Sequence, residues 1–100
     1  MKSVLFHAEA EAEFRAAISY YEGQREGLGT EFRDEVERSV ERIARLPQLA
    51  PPHGEAGLRK LVVRRFPYKL FYLELEETIW IAAVAHQKRK PGYWAHRSPD

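Results

Sequence analysis

The sequence contains no cysteine and no long apolar run. Without cysteine the chain has no disulfide framework, no thiolate ligand for zinc and no cysteine nucleophile, and such a composition is typical of a reducing compartment. The first apolar stretch meets acidic residues by Glu9, which is too early for a secretory signal peptide. No segment approaches the roughly 18 consecutive apolar residues of a membrane helix. We therefore expect a soluble, cytoplasmic protein that does not bind membranes.

The length and composition predict one globular domain over residues 1–100. Hydrophobic residues make up 44% of the sequence and aromatic residues 12%, which is typical of globular rather than disordered chains. A chain of this size buries roughly two-thirds of its unfolded surface, so one core can support the fold.

Charge is divided unevenly along the chain. Residues 1–57 contain seven lysines and arginines against eleven aspartates and glutamates, a net charge of −4. Residues 58–100 contain nine against four, a net charge of +5. This division indicates a basic face for an anionic or acidic partner. Two solvated surfaces with uneven charge would give the same counts, so charge alone leaves both interpretations open.

The first half has the periodicity of two amphipathic helices. Residues 2–6 are apolar enough for a short strand, and from Ala8 an apolar stripe repeats at helical spacing: Phe14, Ala17, Ile18 and Tyr21. Glycines then favour a turn. A second stripe has Thr30 as its expected N-cap and ends before Pro47; its members are Phe32, Val36, Val40, Ile43 and Leu46. These patterns predict a helical hairpin with one apolar face on each helix.

After a proline- and glycine-rich connection over residues 47–57, the apolar period changes to two. Residues 58–66, 68–75 and 78–86 are rich in β-branched and aromatic residues and predict three strands. Pro67 separates the first two, because proline in a central strand would remove a ladder hydrogen bond. The order β-α-α-β-β-β predicts a two-layer α+β domain, in which the helical hairpin packs on an antiparallel sheet. We expect the other face of that sheet to be free for partners.

Several segments of the sequence resemble one protein family. Three runs in the second half resemble the C-terminal signature of RelE/ParE toxins: RRFPYKLFY (64–72), IWIAAVAH (79–86) and QKRKPGYW (87–94). A further segment of the first half resembles the ParE-like branch in particular: YYEGQREGLG (20–29) followed by EFRDEV (31–36). The resemblance implies the β-α-α-β-β-β fold and the toxin half of a type II toxin–antitoxin pair. In this superfamily RelE-like members cut messenger RNA inside the ribosome, and ParE-like members poison DNA gyrase.

RelE-like cleavage uses a cluster of lysines and arginines with a tyrosine near its end, because metal-free RNA cleavage needs proton-transfer groups and cations for the transition-state charge. The resemblance implies that the corresponding residues here are Lys60, Lys69, Arg89 and Tyr93. Val62 stands where the family has a second lysine, and Lys69 lacks the planar fork of the arginine that it replaces. Each such loss would cost a factor of about 10²–10³ in rate. The cationic set is incomplete, so we expect no catalysis, with a ribosome-dependent endoribonuclease as the alternative.

The second interpretation is a target-binding surface that does no chemistry. Basic and aromatic side chains would form it, a combination found at protein interfaces and nucleic-acid sites: Arg64, Lys69, His86, Lys88, Arg89, Lys90, Tyr93 and Trp94. Arg64 and Arg65 would point to opposite faces of a regular strand, so at most one belongs to this surface. Trp94 has a structural alternative, which is to fold the C-terminal tail, residues 87–100, over the sheet. His86 either acts as a functional imidazole or closes the sheet with a backbone hydrogen bond.

No metal or cofactor is expected, because His7, His53 and His96 share no metal-ligand spacing. Tyr21 belongs to the apolar stripe, whereas Tyr20 is expected to be exposed where an antitoxin segment can pack. The leading hypothesis is a ParE-like toxin that inhibits DNA gyrase and is neutralised by an antitoxin that folds on binding. An endoribonuclease acting on ribosome-bound messenger RNA is the alternative, and an inactive relative that keeps only its antitoxin partner is the third.

Overall fold

A computed structural model of the chain describes residues 1–54 and 57–99. The elements are β1 (Ser3–Phe6), α1 (Ala8–Gln24), α2 (Leu28–Arg45), a 3₁₀ turn (Pro47–Leu49), β2 (Arg59–Val62), β3 (Tyr68–Glu74) and β4 (Thr78–His86). The two helices pack on one face of a four-stranded sheet of order β1-β4-β3-β2. The predicted two-layer α+β fold is therefore confirmed. Glu55 and Ala56 of the predicted connection, and Asp100 of the tail, lie outside the described residues.

The two predicted apolar stripes face the sheet. Phe32 and Val36 of α2 are fully buried, and Tyr21 of α1 packs with its ring centroid 5.0 Å from that of Phe32. Tyr20 is 59% exposed, as expected. Leu46 is exposed rather than buried, because α2 ends one residue earlier. Within the described chain, neither helix is long and apolar enough to cross a membrane.

The turn between the helices corrects one prediction. Thr30 lies inside α2, and the helix begins with Gly27 as N-cap in the left-handed region at φ 87°. The Glu22 carboxylate caps the helix instead, since it accepts hydrogen bonds from the Gly27 and Gly29 amides at 2.9 and 3.0 Å. A Cβ at Gly29 would lie 2.6 Å from the Ile18 carbonyl oxygen. Close approach of the helices therefore requires glycine there.

The sheet is mixed rather than wholly antiparallel. β1 runs parallel to β4, whereas β3 is antiparallel to both β4 and β2. β2 is shorter than the predicted strand over residues 58–66. The Val63 amide still donates to the Tyr68 carbonyl, but Arg65 then adopts φ 72° and the chain turns. The left-handed conformation is incompatible with a continuing strand.

The face of the sheet away from the helices is not free, which corrects the prediction that it would be left for partners. The register between β3 and β4 shifts between Phe71 and Tyr72, so that Ala82 is an extra residue in β4. Around this bulge, Phe71, Trp80 and three alanines of β4 form a second buried cluster. Tyr93 and Trp94 of the tail pack against that cluster. Both faces of β4 are therefore covered, one by the helices and the other by the tail. We call the face of the sheet that the tail covers the tail face.

Candidate functional site

The tail and the tail face of the sheet enclose a cavity of about 130 Å³. Four cationic residues line it, one from β2, one from β3 and two from the segment after β4: Lys60, Lys69, Arg89 and Lys90. None of the described residues that line it is acidic. We call it the cationic cavity.

Strand geometry explains why these side chains meet. Lys69 and Phe71 are two residues apart on β3 and therefore project on the same face. Lys60 is the cross-strand partner of Phe71, and Ala85 is the partner of Lys69. The small side chain of Ala85 leaves space above β4, and the residues after His86 turn back to close that space. All four residues proposed for an RNase site, Lys60, Lys69, Arg89 and Tyr93, thus come together from three separate segments: β2, β3 and the chain after β4.

One wall of the cationic cavity is aromatic. The rings of Phe71 and Trp94 have centroids 4.5 Å apart and planes tilted by 34°. The His53 ring lies 5.3 Å from Phe71 and 6.3 Å from Trp94. Trp94 is only partly buried, so it both holds the tail on the sheet and lines the cavity. The two interpretations of Trp94 are thus compatible with each other.

The cations of the cavity lack anionic partners in the described part of the chain. No described carboxylate lies within 4.0 Å of Lys60, Lys69, Arg89 or Lys90. Other cations in the protein are paired: Arg65 with Glu31 at 2.8 Å, and Arg97 with Glu13 at 2.9 Å. Like charges gathered without counter-charges repel one another, and a bound anion relieves that repulsion. The arrangement favours an anionic ligand or an acidic partner.

Arg97 anchors the tail to α1 and to β4. Its side chain is only 5% exposed, and it bonds to Glu9 at 3.1 Å and to both carboxylate oxygens of Glu13. Its Nη1 also donates to the Ala82 carbonyl at 2.9 Å, at the bulge. Although burial lowers it, the pKa of Arg97 is raised on balance by the hydrogen bond to Glu13 and by that carboxylate's charge. Arg97 therefore has a structural role rather than a place on the binding surface.

Tyr93 connects this anchor to the cationic cavity. Its hydroxyl donates to Glu13 Oε2 at 2.7 Å, and the Arg89 guanidinium lies over its ring, 3.9 Å from the centroid. Burial first, and then the hydrogen bond to the Glu13 carboxylate, raise the pKa of Tyr93 far above its ordinary value. The hydroxyl is consequently held protonated and directed towards α1.

His86 lies at the rim, where β4 ends. Its Nδ1 accepts a hydrogen bond from the Lys88 amide at 3.0 Å, and its ring contacts Tyr68 edge-on with a centroid distance of 5.2 Å. It also lines the cationic cavity. The backbone hydrogen bond that sequence reasoning proposed as the structural alternative is present, and it occupies the lone pair of Nδ1.

Two residues of the predicted surface do not line the cationic cavity. Arg64 lies beside α2, in a pocket that Arg38 and Arg42 also line. Lys88 is exposed and absent from the residues that line the cavity, although its neighbours Arg89 and Lys90 line it. Arg65 pairs with α2. The turn at residues 64–67 thus directs both of its arginines away from the cavity.

His7 and His96 lie beside the same carboxylate, that of Glu9. His7 caps α1, its Nδ1 accepting from the Glu9 amide at 3.1 Å, and His96 contacts Glu9 Oε2 at 3.1 Å. Within residues 1–54 and 57–99, no three histidine, aspartate or glutamate side chains converge as metal ligands would. The absence of a metal therefore stays a prediction from the sequence.

Sequence reasoning missed two residues of this region. His53 follows two prolines in a connection, and nothing local to it indicates a role. Glu13 carried a usable pattern: it follows Glu9 by four residues, which places both carboxylates on one side of a helix. The partner of Glu13, however, is Arg97, which lies 84 positions later in the sequence, and no local pattern identifies that pairing.

Comparison with solved structures supports the fold. The chain is similar to a chromosomal ParDE toxin–antitoxin structure from P. aeruginosa, with 21% identity and a TM-score of 0.62 over 86% of this chain and 96% of that one. It is also similar to the isolated RelE toxin of E. coli, with 18% identity and a TM-score of 0.68 over 93% and 92%. The intact E. coli RelBE complex gives 18% identity and a TM-score of 0.68 over 89% and 100%.

At these identities the structures establish the fold alone. A search of curated proteins found no match. The model of one family, described as the ParE toxin of the type II toxin–antitoxin system parDE, matches residues 4–91. That match covers both helices, β2, β3, β4 and all of β1 except Ser3, and it includes the residues that line the tail face up to Pro91. The chain therefore belongs to the ParE toxin family of type II toxin–antitoxin systems.

Proposed function

We propose that this toxin inhibits DNA gyrase by binding, that the cationic cavity and its aromatic wall contact the target, and that an antitoxin neutralises it. The supporting observation is the group of four cations without described carboxylate partners around one cavity. Inhibition of this kind would arrest growth without the toxin itself catalysing a reaction.

The size of the cavity favours contact with a macromolecule. Pockets for small-molecule substrates usually exceed about 300 Å³. At about 130 Å³, the cationic cavity has room for one charged group, such as a phosphate or the carboxylate of a side chain. The Trp94 and Phe71 rings beside it add the apolar, rigid contact area typical of interface hot spots.

The position of Tyr93 argues against catalysis. Its hydroxyl, the proton-transfer group in the RNase interpretation, is bonded to Glu13. A phenol with a raised pKa and an occupied proton is a poor general base at neutral pH. Val62, where the family has a second lysine, is 55% exposed and provides no charge.

A purified supercoiling assay tests the proposal. The toxin should inhibit gyrase, and the triple variant Lys69→Glu, Arg89→Glu, Lys90→Glu should lose inhibition while keeping its circular dichroism spectrum. The matched charge control also reverses three charges, Arg15→Glu, Arg33→Glu and Arg45→Glu, because these helix arginines are exposed and lie outside the cationic cavity. No inhibition by the unaltered protein at a large molar excess would refute the proposal.

One observation supports a ribosome-dependent endoribonuclease as the second candidate. Lys60, Lys69, Arg89 and Tyr93 all line the same cavity, as that function would require. Purified ribosomes programmed with a defined messenger RNA distinguish the two. Position-specific cuts that vanish in Arg89→Ala would establish cleavage, whereas intact RNA alongside inhibited gyrase would establish the first function.

The proposed antitoxin partner fits a second surface. A groove beside α1 is lined by Ala16, Ala17 and the exposed Tyr20 on one side and by Val84 and Arg89 on the other. An antitoxin segment there would reach Arg89, which also lines the cationic cavity. The similarity to the RelBE complex supports a partner of this kind.

Titration calorimetry against the product of the adjacent gene tests the partner. Binding at submicromolar concentration that Tyr20→Ala weakens would support this surface, and no binding at micromolar concentration would count against it. Growth arrest on induction, relieved by the same gene, would exclude an inactive relative that only keeps its partner.

A further inference from the structure

We infer that Glu13 is a positioning residue that fixes the Arg89 guanidinium at the cationic cavity by way of Tyr93. Glu13 itself is on α1 and does not line the cavity. The inference rests on the proposed function only in so far as Arg89 contacts the target. The placement of Arg89 is a separate physical claim that can be measured without any target.

The first step is that the Glu13 carboxylate is fixed. Oε1 accepts from the Val84 amide at 3.0 Å and from Arg97 Nη1 at 3.1 Å, and Oε2 accepts from Arg97 Nη2 at 2.9 Å. The side chain is 16% exposed. A carboxylate with charge-assisted bonds to both oxygens has little rotational freedom. It therefore provides a fixed acceptor at the edge of β4, beyond the end of β1.

The second step is that this acceptor fixes the Tyr93 ring. A tyrosine has only two side-chain torsions, and a 2.7 Å bond at the hydroxyl restrains the far end of the ring. Two guanidinium groups contact that ring: Arg89 at 3.9 Å and Arg97 at 5.1 Å from its centroid. The orientation of the ring is thus set by α1 rather than by the tail alone.

The third step is that the ring restrains Arg89. The Arg89 amide donates to the His86 carbonyl at 2.9 Å, which fixes the backbone, but no described carboxylate holds the side chain. A long side chain without a partner would sample many rotamers, and ordering it on binding would reduce affinity. Stacking over Tyr93 gives Arg89 a preferred position before the target arrives.

Tyr93→Phe is the sharpest test, because it removes the hydroxyl and keeps the ring, the Glu13–Arg97 pair and the Glu13–Val84 bond. Protons above an aromatic ring are shielded, so the Arg89 side-chain protons should resonate upfield in the unaltered protein. In Tyr93→Phe they should move towards the shifts of solvent-exposed arginines. Glu13→Gln should produce the same change, and Glu11→Gln should not, since Glu11 is exposed and bonds to Arg15.

The outcomes separate this inference from the proposed function. Unchanged Arg89 resonances in folded Tyr93→Phe would overturn the inference, whatever the target. If the resonances move as expected but the unaltered toxin does not inhibit gyrase, the positioning role stands and only the proposed function fails.

Where gyrase is inhibited, a double-mutant cycle completes the test. Tyr93→Phe should weaken inhibition by up to about tenfold, as the loss of a partly desolvated cation–π contact would. The double variant Tyr93→Phe, Arg89→Ala should be no weaker than Arg89→Ala alone, because the hydroxyl acts through that arginine. Additive losses would show that Tyr93 contacts the target independently and would contradict the inference.

Discussion

The Tyr93 hydroxyl donates a 2.7 Å hydrogen bond to Oε2 of Glu13, a residue eighty positions earlier in the sequence. The bond joins the tail to the first helix across the edge of β4. The tail is consequently part of the tertiary structure, and the stability of the fold and the shape of the cationic cavity depend on the same contacts.

Replacing Glu13 should destabilise the protein. Glu13→Ala leaves the buried Arg97 guanidinium with Glu9 as its only carboxylate partner among the described residues, beside the Ala82 carbonyl, and removes the acceptor for the Val84 amide. Removing one partner of a buried ion pair typically lowers the free energy of unfolding by about 3–5 kcal/mol. The remaining Glu9 contact favours the lower end of that range. Urea denaturation measures the loss. Glu11→Ala should change stability by less than about 0.5 kcal/mol, and an equally small effect at Glu13 would contradict this account.

Charge reversal should distinguish two neighbouring lysines. Lys90 lines the cationic cavity and Lys88 does not, although sequence reasoning placed both on the target surface. Lys90→Glu should raise the toxin concentration needed for half-maximal gyrase inhibition by about tenfold or more, because it places a like charge where an anion should bind. Lys88→Glu should have a much smaller effect. Equal effects would mean that general positive charge, rather than the cavity, determines binding.

Replacing two glycines of the helical hairpin with alanine should have opposite effects on stability. A methyl group at Gly29 would meet the Ile18 carbonyl and the Glu22 side chain within 3 Å. Gly29→Ala should therefore cost about 1–3 kcal/mol of unfolding free energy. Gly23 has open space around its Cβ position, so Gly23→Ala should be neutral or stabilise the helix by up to about 1 kcal/mol. Thermal unfolding of both variants checks the prediction, which fails if Gly29→Ala is neutral.

Lowering the pH should weaken the contacts that hold the tail and the turn after β2, and so destabilise the protein. The hydrogen bond from His96, and then the charge of Arg97, hold the pKa of Glu9 below its ordinary value of 4.5 despite some desolvation. Hydrogen bonds from Arg65 and Arg25 likewise lower the pKa of Glu31. Depressed carboxyl pKa values contribute stability that is present above the ordinary value. That contribution is lost as the pH falls through the lowered folded values.

Urea midpoints measured from neutral pH down through that range check this dependence. The midpoint should fall with acidification, and the decline should be shallower in Glu9→Gln and in Glu31→Gln. Glu77→Gln is the control, because its exposed side chain has no ion pair with any described residue. An unchanged pH dependence in both test variants would contradict the assignment.

Local patterns were sufficient for much of the fold. The stripes through Phe32 and Val36 and the change of period after the prolines identified both helices and three strands, because burial of one face imposes those spacings. The short strand over residues 2–6 was also predicted, but its position as the parallel neighbour of β4 was not identifiable. Apolar and polar residues alternate only weakly in its four residues, and no local pattern indicates that residue 3 pairs with residue 78.

The candidate site was only partly predictable for a similar reason. Lys69, Arg89 and Lys90 carry charge that any functional site here would use, and they do line one cavity. Arg97 has the same charge and lies in the same basic tail, yet it is 5% exposed. The difference depends on Glu13, whose proximity is created by folding.

The bulge at Ala82 has a wider consequence. It lets β4 present Ile79, Ile81 and Val84 to one layer and alanines to the other, so the strand separates two cores with different shapes. The helix layer combines these branched side chains with rings such as Phe32, Phe66 and Tyr72, whereas the space over the alanines is filled by Tyr93 and Trp94 of the tail. Substitutions among the alanines of β4 can therefore change the shape of the toxin's contact surface while the packing of the helix layer is kept.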